Sequence, residues 1–349
     1  MSPRINPDRI DPASRAAPAA ALSLDVAIEE WPMAEPLKIS GYTMTAAQVV
    51  VVSLRRGGHV GRGEASGVFY LGDTPQSLRA QIEVARPAIE AGITRAALRE
   101  LMPPGGARNA VDCALWELEA RQAGRAVWQL AGLAEPVPLL TTFTVGAGEP
   151  EHMAIVAARR YPQARALKLK LLGDGRDGER VAAVRAVRPD VWLGVDGNQG
   201  FDVAALNALL PTLVAQRVEL IEQPFPSNRD AWLVDLDCPI QVAADESAQS
   251  LADLPAVAAR FDVVNIKLDK CGGLTESLAM AERARALGLR VMVGNMGGTS
   301  LAMAPALLVG QHCDVVDIDG PLFLRADRSP SLVYEQGRVF AAADVWGGK

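Results

Sequence analysis

Few cysteines interrupt this chain: Cys113, Cys238, Cys271 and Cys313 are widely separated, with no CxxC pair among them. A disulfide framework is thereby excluded, because a chain of 349 residues builds a core without staples. The thiols read as reduced and mostly buried. A basic stripe with interleaved aromatics is missing too, and 35 basic residues against 41 acidic ones give a formal charge of -6, which argues against nucleic acid as a partner. Nor is there an apolar run long enough for a signal peptide or a membrane span. A cytoplasmic protein with no membrane partner is therefore expected.

What is present is core-forming material, at 49% hydrophobic residues, enough for one large domain and a smaller one. Residues 1–22, with their prolines, arginines and alanine run, read as a flexible tail. From Leu22 an alternating pattern through Ile28 predicts a strand. Trp31-Pro32 reads as a turn, Val49 to Leu54 as a second strand, and His59 to Ala65 as a third after the hairpin turn Arg55-Arg56-Gly57-Gly58. Helical spacing follows between 75 and 132, most clearly from Ala107 to Leu130. Residues 23–135 thus read as an α+β capping domain.

Beyond Pro138, short apolar strands alternate with helical stretches. Eight strands are expected: Leu139–Val145, Ala166–Leu171, Val191–Asp196, Val218–Glu222, Gln241–Asp245, Val263–Asp269, Arg290–Val293 and Asp314–Asp319. Their regular spacing predicts a (β/α)8 TIM-type barrel over 136–320, with 321–349 returning to the capping domain. An open doubly wound sheet is the alternative, but no GxGxxG opens a helix after the first strand.

A barrel gathers the C-terminal ends of its strands at one mouth. Lys168 and Lys170 close the second strand, Asp196 the third, Glu222 the fourth, Asp245 the fifth, Lys267 the sixth, and Asp317 with Asp319 the eighth. In Ala166-Leu167-Lys168-Leu169-Lys170-Leu171 the period of two puts both lysines on one face and the leucines on the other. A half-exposed strand with a solvated lysine face explains that hexapeptide taken alone. Buried unpaired charges cost several kcal/mol each, so eight of them at six strand ends are hard to explain as stability features. Asp196, Glu222 and Asp245 offer only oxygen, which suits Mg²⁺ better than Zn²⁺, although a carboxylate cluster balanced by lysines would look similar. Strands two and six lie diametrically opposite, so Lys170 and Lys267 would face one another across a substrate.

That arrangement fits proton removal from one face of a carbon next to a carboxylate and return on the other. The lysine serving as base would need its pKa lowered to roughly 7–8, and the Lys168 ammonium, burial and the cation all act in that direction. Lys267 taken alone could be a partner for Asp269, two residues along the same face, and both roles are compatible.

The residues quoted, with Asp196-Gly197-Asn198-Gln199, Glu222-Gln223-Pro224 and Asp245-Glu246-Ser247, resemble the enolase superfamily in its muconate-lactonizing subgroup. Lysine bases with Mg²⁺ are a known device of that superfamily. Asp317-Ile318-Asp319 resembles the Asp-x-Asp with which dipeptide epimerases hold the substrate ammonium. The resemblance implies inversion of the C-terminal α-carbon of an L,L-dipeptide by two lysine bases through an enediolate. N-acylamino acid racemase, an o-succinylbenzoate synthase-like lyase and a non-catalytic binding barrel are the alternatives. Glutamate-specific relatives carry an arginine in the first capping loop, which here reads Ser40-Gly41-Tyr42-Thr43-Met44. Tyr42, Met44 and the Val68-Phe69-Tyr70-Leu71 loop point instead to an apolar or aromatic side chain. Asn295 and Met296, after the seventh strand, complete the expected substrate contacts. The expected partner is a small dipeptide, and the sequence leaves room for a homo-oligomer.

Overall fold

The computed structural model describes residues 21–39, 42–342 and 344–348. Most of the stretch read as a tail, along with Ser40, Gly41 and the Tyr42 side chain, lies outside the described part. Strands β1 (Ser23–Ile39), β2 (Tyr42–Arg56) and β3 (His59–Ala65) form an antiparallel sheet. Gly57 and Gly58 make the β2–β3 turn with φ of 57° and 82°, the left-handed values a tight hairpin needs. Trp31-Pro32 is no turn, contrary to the sequence expectation. β1 runs on through it, and a register shift between Pro32 and Leu37 bends the strand so that Leu37 pairs with Met44.

Helices α1 (Pro75–Glu90), α2 (Arg95–Leu101) and α3 (Gly106–Ala123) cover this sheet. Thr74 and Thr94 start the first two by accepting backbone N–H groups. The expected helix from Ala107 to Leu130 breaks at Gly124, whose φ of 61° ends α3 before a short turn of helix at Val127–Leu130. α3 lies almost on the backbone of β3: a Cβ on Gly63 would fall 2.0 Å from the Ala110 carbonyl oxygen.

The larger domain is a (β/α)8 barrel. β4 (Leu139–Leu140) is split from β5 (Phe143–Val145), the first barrel strand. The others are β6 (Ala166–Lys170), β7 (Trp192–Asp196), β8 (Leu220–Glu222), β9 (Gln241–Ala244), β10 (Val263–Lys267), β11 (Arg290–Gly294) and β12 (Val315–Val316). They pair in parallel in chain order, and Thr142 N–H donating to the Val316 carbonyl at 2.8 Å brings first and last strands together. Two departures from the expected repeat keep the barrel small. The connection after β8 and the one after β12 carry 3₁₀ turns, Ser227–Asp235 and Gly320–Phe323, in place of full helices. Leu167 and Leu169 face outward into a cluster with Val181 and Val184 of the helix Asp177–Val187, which turns Lys168 and Lys170 into the barrel.

β13 (Leu332–Glu335) and β14 (Arg338–Ala341) pair with each other, and β14 adds to β4. The end of the chain reaches the capping domain: Trp346 Nε1 donates to the Arg62 carbonyl and Arg62 Nη2 to that of Val345, each at 2.8 Å. Among the described residues no helix is long and apolar enough to cross a membrane.

Candidate active site

The strand ends converge under the capping domain on a pocket lined from both domains. Lys168, Lys170, Asp245, Lys267, Asp317 and Asp319 line it from the barrel, and Met33, Leu37, Met44, Ala47, Phe69 and Tyr70 from above. Asn198, Glu246, Asn295 and Met296 line it as well.

Parallel pairing fixes the relation of the charged ends. Lys170 is directly opposite Asp196 and Asp196 opposite Glu222, because β6, β7 and β8 end in register. Sequence reasoning expected Asp196, Glu222 and Asp245 to converge on a cation. They sit on adjacent strands, yet each is drawn to an ammonium: Asp196 to Lys170 at 2.5 Å, Glu222 to Lys168 at 3.2 Å, and Asp245 to Lys267 at 2.6 Å. Among the described residues, accordingly, no three acidic, histidine or cysteine side chains are grouped closely enough to cage an ion. The donor chemistry still fits a hard divalent cation. Six carboxylates (Asp196, Glu222, Asp245, Glu246, Asp317, Asp319) share the mouth with four lysines (Lys168, Lys170, Lys267, Lys270), leaving an excess of two negative charges.

Burial first, and then this crowding of carboxylates, show in the titration of the acids. Burial, reinforced by Asp196, raises Glu222 to about 7; burial and Asp245 raise Glu246 to about 8; burial and Asp317 raise Asp319 to about 6. Lys267 and Lys168 behave otherwise than expected. Burial pulls Lys267 down, but Asp245 and Glu222 outweigh it and hold the ammonium above its ordinary value. Lys168 is likewise held up, because Asp317, Glu222 and Asp196 together overcome its burial.

Asp269 is not on the strand with Lys267. The chain turns into a short helix at Leu268–Cys271, and Asp269 faces the capping domain while Lys267 takes Asp245. The expected Asp317–Asp319 grip is partly spent within the protein. Asp317 accepts from Lys168 and from the Thr142 hydroxyl, and Asp319 accepts from Thr144 N–H at 2.6 Å. Both lie just past β12, and Asn295 Nδ2 donates to the Asp317 carbonyl at 2.7 Å. Gln223 ties two strand ends together, its Oε1 accepting from the N–H groups of Asp245 and Ser247. Asn198, Gln199 and Gln223 all take positive φ just beyond their strands, 42°, 65° and 31°, a concentration of backbone strain around the acids.

The comparisons with known proteins agree with this architecture. Residues 21–132 match the mandelate racemase / muconate lactonizing enzyme N-terminal domain, and 152–339 the enolase C-terminal domain-like family. The chain belongs to the enolase superfamily. This superfamily member is 39% identical over 312 residues to L-Ala-D/L-Glu epimerase of Escherichia coli strain K12, covering 89% of this chain and 97% of the relative. An enolase family member from Agrobacterium tumefaciens with homology to dipeptide epimerases, solved with sodium and L-Ala-L-Glu, is 40% identical and superposes with a TM-score of 0.90 over 93% of this chain and 100% of that one. The dipeptide epimerase of Methylococcus capsulatus, solved with Mg and L-Arg-D-Lys, is 30% identical with a TM-score of 0.85 over 93% and 97%.

Sequence reasoning missed Lys270 of the superfamily member. Its ammonium is buried and donates to Asp245 Oδ1 at 2.7 Å and to the Asn265 carbonyl at 3.0 Å. Asn265 was missed as well, although its Nδ2 donates to Glu222 at 2.8 Å. The signal for both was present: Asn265 and Lys267 share one face of β10 by the period of two, and Lys270 follows one helical turn later.

Proposed function

We propose that this protein is a Mg²⁺-dependent dipeptide epimerase that inverts the α-carbon of the C-terminal residue by two-base proton transfer. The observation that carries the reading is the placement of Lys170 and Lys267 on β6 and β10, opposite one another in the ring and lining one pocket. One amine takes the α-proton and the ammonium across the pocket returns a proton to the other face. Asp196, Glu222 and Asp245 would hold the cation. Bound there, it would draw these carboxylates off the lysines and offset the charge that builds on the substrate carboxylate as the proton leaves. Lys168, paired with Glu222 and Asp317, supplies a fixed positive charge beside that carboxylate. Asp319 and Asp317 receive the substrate ammonium.

The side chain of the inverted residue follows from the same geometry. During inversion the three substituents that do not react stay between the two lysines. Carboxylate and amide nitrogen are bound by the charged barrel, so the side chain points to Met33, Leu37, Met44 and Phe69. Apolar side chains are therefore favoured over glutamate.

A second reading, N-acylamino acid racemase, draws on the engagement of Asp317 by Lys168 and Thr142, which weakens any grip on a free ammonium. The deciding experiment incubates the protein with Mg²⁺ in D₂O, with matched panels of L,L-dipeptides and N-acetyl-L-amino acids, and follows deuterium uptake by mass spectrometry. Dipeptides should exchange and invert, and chelation should abolish turnover until Mg²⁺ is restored. Faster exchange of the N-acetyl series would hand the assignment to the racemase, and full activity in metal-free protein would remove the cation from it.

A further inference from the structure

The short helix Leu268–Cys271, directly after the Lys267 strand end, is gripped from both domains. On the barrel side Lys267 and Lys270 hold the two oxygens of Asp245. On the other side Asp269 Oδ1 accepts Ser66 N–H at 2.9 Å and Gly67 N–H at 2.8 Å, at the start of the capping segment that carries Phe69 and Tyr70 into the pocket. Arg108 of α3 donates to the Cys271 and Gly272 carbonyls at the end of the same helix. The capping segment is tied once more at Tyr70, whose hydroxyl accepts from Gln249 Nε2 at 3.1 Å, beyond the Asp245 strand end.

We infer that Asp269 is a positioning residue that locks the 66–73 segment, and with it Phe69 and Tyr70, over the Lys267 side of the pocket. The inference rests on the two-lysine reading for its kinetic consequence, but its structural content does not. Asp269 is buried in the interface and touches neither of the two lysines. Its two backbone partners make it a peg for the segment rather than an ion pair, and Asp73 Oδ2 stiffens the same segment by accepting Val68 N–H at 2.9 Å. Because Tyr70 is tied beyond the Asp245 strand end, releasing the segment admits water to the Lys267 face, while Leu37 and Phe323, which line the pocket from other segments, stay in place.

The test compares Asp269→Ala with Asp269→Asn, since an asparagine Oδ1 keeps both acceptances and alanine keeps neither. Hydrogen–deuterium exchange of the full-length protein should show protection of residues 66–73 lost in Asp269→Ala and retained in Asp269→Asn. The α-proton exchange of the isomer that Lys267 serves, identified with Lys267→Ala, should fall about 10-fold or more in Asp269→Ala. Exchange of the other isomer should change less than about 3-fold, so the ratio between isomers shifts while Asp269→Asn keeps the parent ratio. Should Asp269→Ala not fold, Tyr70→Phe, which cuts the second tie, must give the same skew. Unchanged protection in Asp269→Ala, or an equal fall for both isomers, overturns the inference. If the parent protein exchanges only N-acetyl amino acids, the proposed function fails and the same isomer ratio is read on that series. If it exchanges neither, the protection pattern alone decides.

Discussion

The floor and the roof of the pocket are built on opposite principles. The floor is a set of strand ends carrying six carboxylates and four lysines, nearly all buried, held in place by parallel pairing and by one another. The roof is the tip of an antiparallel hairpin with Met33, Leu37, Met44 and Ala47 facing down, joined by Phe323 and Leu324. Most charged groups in the floor have a partner within hydrogen-bond distance, and removing one leaves an uncompensated buried charge; Glu246, whose Oε2 is buried without a hydrogen-bond partner, is instead pushed up to about 8 by burial and Asp245. No such partner is offered by these roof side chains, so the floor is suited to the reacting groups and the roof to the side chain that does not react.

The comparison breaks hardest at the bases. Lys170→Ala and Lys267→Ala should each reduce epimerisation by about 10²–10⁴-fold, and each should still exchange the α-proton of a single isomer, opposite in the two variants. NMR of the α-proton in D₂O with both isomers reads this directly, and near-parent epimerisation by either variant would mean the floor is not a two-base device. Next in size is Lys270→Met, which strips one of the two ammoniums from Asp245. A loss of about 3–5 kcal/mol in unfolding free energy is expected from urea titration. A change below about 1 kcal/mol would show that Lys267 alone suffices to balance Asp245.

Asp269, the joint between floor and roof, sharpens the comparison through pH. Burial, opposed by its two backbone hydrogen bonds, raises its carboxyl from the ordinary 3.8 to about 7. Between those values the folded protein binds a proton that the unfolded chain has released, so parent stability falls as pH rises from 4 to 7 and levels above it. Asp269→Asn has no proton to lose and should be more stable than the parent at pH 8 by on the order of 4 kcal/mol, with the gap closing near pH 4. Urea melts at several pH values measure it; a pH-independent difference would mean the carboxyl is not held neutral by its surroundings. The smallest effect is expected in the roof. Met44→Arg gives a substrate carboxylate a partner and should shift the ratio of kcat/KM for L-Ala-L-Glu over L-Ala-L-Leu upward by about 10-fold, whereas Met44→Leu should leave the order as in the parent.

Legibility in the sequence divides along the same line. Lys168, Lys170, Asp196, Glu222, Asp245 and Lys267 could be placed at one mouth from strand periodicity and spacing, because consecutive parallel strands start a barrel turn at a fixed end. Where the chain leaves the strand that rule stops. Asp269 was misplaced by one turn of helix beginning at Leu268, and Asp317 and Asp319 proved to lie past a strand of only two residues. The roof was less legible still: Trp31-Pro32 reads as a turn, yet pairing with Ala46 and Ala47 outweighs the local preference and carries β1 on to Leu37.

The sequence by itself determined the barrel, the capping domain and the inventory of charges at the mouth, since all three follow from local periodicity and from which residues end each strand. Only the tertiary structure decided which charge answers which. Asp245 is shared by Lys267 and Lys270, Lys168 spans Glu222 and Asp317, and Asp269 serves the capping segment instead of the lysine two residues before it. The physical reason is that these pairings join residues 22 to more than 200 positions apart along the chain, where no local pattern constrains the partner. Buried ions take whichever partners the packed domains bring within about 3 Å, because in a low-dielectric interior an unpaired ion is the costlier alternative.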